Sequence, residues 1–88
     1  STAWAWIHGV GLRQLDADAQ IKALGLKEGD IHHAGCWFAT PESWAGDSVK
    51  IGLSYMTMRG DDFLDHEAVL LWSPATNALK VLSNAVRQ

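Results

Sequence analysis

The cleanest alternation in the chain is SVKIGLSYMTM, residues 48–58. Val49, Ile51, Leu53 and Tyr55 fall on one side of an extended segment, and Lys50, Gly52, Ser54 and Met56 on the other. RGDD then reads as a turn, and HEAVLLW as a second strand whose nearly unbroken apolar run suits a central position in a sheet. Near the start, TAWAWIHGVG puts Trp4, Trp6, His8 and Val10 on one face and Ala3, Ala5, Ile7 and Gly9 on the other. Neither face is polar, which predicts a strand covered on both sides or covered by another subunit.

Two segments read as helices. In LDADAQIKALGL, Asp16 is placed to cap the N-terminus, and Gly25 to end the helix at C′ with Ile21 and Leu26 at C3 and C″. Ala17, Ile21 and Leu24 would face the core. In SPATNALKVLSNAVRQ, Leu79, Lys80 and Val81 alternate as a hairpin arm would, but helical projection sorts the whole segment better, with Ala75, Ala78, Leu79, Val81, Leu82, Ala85 and Val86 on one arc. Ser73 as N-cap and Pro74 at N1 supply a start signal. The stretch from Pro41 to Asp47 reads as a polar loop carrying Trp44.

The predicted order is strand, helix, three strands, helix: an α+β domain spanning residues 1–88, with an antiparallel sheet of about four strands and both helices on one face. The Val49 face would receive the helices. The opposite face would show Met56 and Met58.

The 48% apolar and 19% charged content fits a compact fold. Seven Lys and Arg against ten Asp and Glu, with no basic stripe, argue against nucleic acid and anionic membrane surfaces as partners. The apolar run Ala68 to Trp72, which no other run exceeds, is far short of a membrane span. A single cysteine cannot make an internal disulfide and suits a reducing cytoplasm.

The most reactive stretch is GDIHHAGCWFATPESW, residues 29–44. His32, His33 and Cys36 are suitable metal-ligand types, and His66 or His8 could join them. On a strand, however, His32 and Cys36 lie roughly 13 Å apart, too far for one ion. Cys36 as a nucleophile lacks any accompanying signature. Asp62, Asp65, His66 and Glu67 read as a solvated strand entrance, Arg59-Gly60-Asp61 as a turn, and the G-x-G at Gly9 and Gly11 as incomplete for a dinucleotide.

The five tryptophans exceed what a core of this size needs. Trp4, Trp6 and Trp44, together with Met56 and Met58, are the candidate partner-binding residues. The expectation is a small non-catalytic protein-interaction domain, homodimeric through its first strand or its open sheet face, with no cofactor. The alternative is a small-ligand or metal-binding protein, possibly an enzyme, using the Trp44 loop or the His32 to Cys36 segment.

Overall fold

A computed structural model of the chain describes residues 3–31 and 37–87. Strands β1 (Trp4–Ile7) and β2 (Gly11–Gln14) form an antiparallel hairpin. Helix α1 (Ala17–Ala23) and a 3-10 turn at Glu28–Asp30 follow. Strands β3 (Phe38–Ala45), β4 (Ser48–Arg59), β5 (Asp62–Ser73) and β6 (Ala78–Arg87) then make a four-stranded antiparallel sheet in chain order. Twelve-residue strands reach about 40 Å, which sets the long axis of a molecule measuring 48 × 20 × 19 Å.

Two of the sheet's turns follow from one residue each. Ala45 pairs with Ser48 and Arg59 with Asp62, leaving the two-residue loops Gly46-Asp47 and Gly60-Asp61. The glycines have φ of 63° and 64° while the aspartates stay at negative φ, the combination of a type II′ turn. That turn carries the right-handed twist of the flanking strands, so β3, β4 and β5 are registered by their connections as well as by their pattern.

The Val49 face holds the core. Val49, Ile51, Leu53 and Tyr55 of β4 are buried opposite Trp72, Leu70, Ala68 and His66 of β5. Ala3, Ala5 and Leu15 from the hairpin region join the same core, with Ile21, Leu24 and Leu26 packed against it. Helix α1 is capped as its sequence predicts. Asp16 accepts a hydrogen bond from the Asp18 amide at 3.1 Å. The Leu26 amide donates to the Ile21 carbonyl and the Gly25 amide to that of Lys22, each at 3.0 Å. The buried face differs in one place: Gln20 is buried and Ala17 exposed.

The expected α+β fold with two helices is overturned. Among the described residues there is one α-helix, and the structure is mostly strand, in sheets of two and four strands. The segment from Ser73 is a turn followed by β6 rather than a helix. Proline at N1 of a helix and at the second position of a type I turn occupies the same backbone well, so Ser73-Pro74 signals both. The turn prevails here: the Thr76 amide donates back to the Ser73 carbonyl at 3.3 Å, and Asn77 takes a left-handed φ of 61° that stops helical propagation. A bulge interrupts the strand's alternation after Val81. Leu70 pairs with Val81 and Val69 with Ser83, leaving Leu82 as the extra residue. Leu79 and Val81 keep to the core face, and the inserted position makes the spacing look helical.

Two further expectations change. The first strand is a hairpin, and Pro41 to Asp47 is largely strand, so Trp44 sits on β3 and not in a loop. A bulge between Pro41 and Ser43 bends this outer strand.

Candidate interaction surface

The hairpin inverts the usual sorting of side chains. Ala3 and Ala5 are 3% and 7% exposed, while Trp4 and Trp6 are 56% and 72% exposed. The register explains how the tryptophans are displayed. Trp4 lies opposite Gln14 and Trp6 opposite Leu12, so these four side chains share the outer face, and Leu12 is itself 60% exposed. Burial would normally go to the larger side chains, each worth some 150–250 Å² of removed surface. With exposed Val10 at the turn, the hairpin shows on the order of 500 Å² of apolar side chain, in the range that marks contact sites on small proteins.

The five candidate partner-binding residues do not form one surface. Trp4 and Trp6 point away from the core that Ala3 and Ala5 enter. Trp44, exposed, lies at the end of β3 opposite Val49 and so on the core side of the sheet. Met56 and Met58 are on the other face of the sheet, half-buried and exposed respectively. Phe38 and Phe63 are exposed there too, with Phe63 directly across from Met58. Trp37 and Trp72 are core residues instead.

That open face carries a hollow of about 280 Å³ lined by Phe38, Thr40, Glu42, Ser54, Glu67 and Val69. Glu42 folds over Gly52, within 2.5 Å of where a Cβ would stand, and its carboxylate is 3.8 Å from the Lys50 ammonium. Arg87 donates to Glu67 at 3.0 Å. The acidic residues here are therefore interleaved with cations on an exposed sheet face that also carries Phe38, Phe63 and Met58.

Buried polar chemistry on the core side is structural. The Trp37 indole donates to the Gln20 amide oxygen at 3.2 Å, and Gln20 donates to the Asp16 carbonyl at 3.2 Å. The His66 ring stacks on Tyr55 with centroids 4.6 Å apart and planes 5° from parallel. Its Nε2 lies 2.7 Å from the Thr57 hydroxyl. Thr57 with its His66 partner has the outline of a nucleophile and base, yet Thr57 is only 8% exposed, leaving little room for a substrate at the hydroxyl. The Tyr55 hydroxyl donates to Asn84 at 2.8 Å, and burial pushes its phenol above the ordinary range, with the Asn84 bond opposing.

Among the described residues no group of three or more His, Cys, Asp or Glu side chains could hold a metal ion. His66 of the metal candidates is placed against Tyr55 and Thr57, while His32, His33 and Cys36 lie outside the described residues. No helix among the described residues is long and apolar enough to cross a membrane.

Leu12 and Gln20 were not anticipated as contributors. Leu12 could have been found from HGVG, where the two glycines mark a hairpin turn and set Leu12 across from Trp6. Gln20 has no such signal, because its burial follows from meeting Trp37 seventeen positions away. No protein-family model, curated protein or solved structure matches the chain.

Proposed function

We propose that the chain is a non-catalytic protein-interaction domain that works as a homodimer, with the β1–β2 hairpin as its contact. The observation that carries this reading is the inverted hairpin, which buries alanines and offers two tryptophans and a leucine to solvent. Isolated two-stranded hairpins are marginal in water, so a hairpin that spends its largest side chains outward gains most from a covering surface. Tryptophan is also the side chain most enriched among residues that dominate interface energies. The single Cys36 suits residence in a reducing compartment such as the cytoplasm.

Light scattering or sedimentation across a dilution series tests this. The expected result is a dimer that dissociates on dilution, with Trp6→Ser weakening association by about tenfold or more. Because Trp6 is 72% exposed, the same substitution should leave the dilute chain's unfolding midpoint nearly unchanged. A monomer at every concentration up to about 100 μM would overturn the proposal, since specific interfaces of standard size bind tighter than that.

A further inference from the structure

We infer that two copies pair through the outer edges of their β1 strands, antiparallel, with Trp4 of each copy opposite Trp6 of the other. The inference rests on the homodimer reading and specifies its register.

The hydrogen bonds of the hairpin show which backbone groups β1 leaves over. The Leu15 amide donates to the Ala3 carbonyl at 2.8 Å, so Ala3 and Leu15 form a hydrogen-bonded pair. In an antiparallel ladder such pairs recur every second residue. Ala5 with Arg13 and Ile7 with Gly11 are therefore the next ones in the observed register. The amides and carbonyls of Ala3, Ala5 and Ile7 thus point at β2, and those of Trp4 and Trp6 point the other way. Among the described residues no strand pairs with that side of β1.

The sequence of this edge is close to self-complementary. Ala3-Trp4-Ala5-Trp6-Ile7 reads nearly the same in both directions about Ala5. A two-fold axis through Ala5 matches Trp4 with Trp6 of the second copy and Ala5 with itself. It brings the outward groups of Trp4 and Trp6 into two hydrogen-bonded pairs, four N–H···O bonds in all. On the outer face the same register makes two rows across the joined sheet, each running Leu12, Trp6, Trp4 of the second copy, Gln14 of the second copy. Four indoles and two leucines become one cluster.

Comparison of the strand edges singles out β1. The outer strand β3 carries Pro41 and a bulge beside it. Strand β6 carries Lys80, Arg87 and a bulge, and β2 carries Arg13. These are the devices that keep edges from pairing. Strand β1, Trp-Ala-Trp-Ile, has neither charge nor proline. A two-fold contact sets each charge near its own copy, so an uncharged strand is the one that can meet itself.

Amide hydrogen exchange on the full chain, read residue by residue at about 5 μM and about 500 μM, tests the register. The expected result is that the Trp4 and Trp6 amides slow by about tenfold or more on concentration, while those of Leu12 and Gln14, on the far edge of β2, do not change. Concentration-dependent dimers whose Trp4 and Trp6 amides keep the dilute rate would overturn the strand pairing and leave the homodimer reading intact. Protection at Leu12 and Gln14 in place of Trp4 and Trp6 would overturn it in favour of the β2 edge. Monomers at both concentrations would overturn both.

Discussion

Replacing Asn77 separates two contributions that one residue makes to the β5–β6 connection. Its side-chain oxygen accepts from the Trp72 indole at 2.9 Å, and Trp72 is 1% exposed. Its backbone holds φ at 61°. Losing the acceptor leaves a buried donor short of that bond, at about 1–3 kcal/mol. Placing a Cβ without a local hydrogen-bonding group in the left-handed region adds about 1–2 kcal/mol. Asn77→Ala incurs both, about 2–5 kcal/mol together, whereas Asn77→Gly loses the acceptor, about 1–3 kcal/mol, while its ease at positive φ offsets its extra unfolded-state freedom. Asn77→Asp keeps an acceptor oxygen and tolerates the conformation, so its change should stay within about 0.5–1 kcal/mol. With urea slopes of about 1–2 kcal/mol/M, Asn77→Ala moves the unfolding midpoint down by about 1–5 M, followed by tryptophan fluorescence. Equal midpoints for the Gly and Ala variants would refute the backbone contribution. A Gly variant as stable as the parent would refute the hydrogen bond's.

Gly25→Ala forces a side chain onto φ of 73° at the end of α1 and should cost about 1 kcal/mol, seen as a melting temperature about 4–8 °C lower. Tyr55 links stability to alkaline pH. Its phenol ionises at a higher pH folded than unfolded, so above about pH 10 the unfolded chain binds fewer protons and stability falls as pH rises through the window between the two values. Tyr55→Phe removes this component, and the difference between parent and variant urea midpoints should be flat from about pH 7 to 9.5 and shrink above about pH 10. A difference that stays constant to the end of the alkaline range would contradict the assignment.

Helix α1, strand β4, its turn at Gly60 and the apolar run of β5 were legible because each is decided by neighbours in the chain: caps, a period of two, a glycine at the required corner. The alternation in the first strand also separated Trp4 and Trp6 from Ala3 and Ala5 correctly, but which set would be buried was not decidable from residue size, which points the wrong way. The C-terminal segment failed for a different reason. A single inserted residue at Leu82 shifts a two-residue period toward a helical one, and Pro74 serves a turn as readily as a helix start. Trp44 reads as a loop residue because the stretch from Pro41 to Asp47 around it is polar. On an outer strand a proline whose amide faces away from the partner and a bulge beside it are tolerated, and edge position cannot be known before the sheet is assembled.

Strand β4 runs from the turn at Gly46-Asp47 to the turn at Gly60-Asp61 without interruption. Its twelve residues hold those two exposed corners about 40 Å apart. Dyes attached at Asp47 and Asp61 would report the length of β4 as one distance, and peptides inserted at either corner would leave every core row unbroken. Tethered at both, the domain is a strut: whatever is fastened to one corner is kept at a set reach from whatever is fastened to the other.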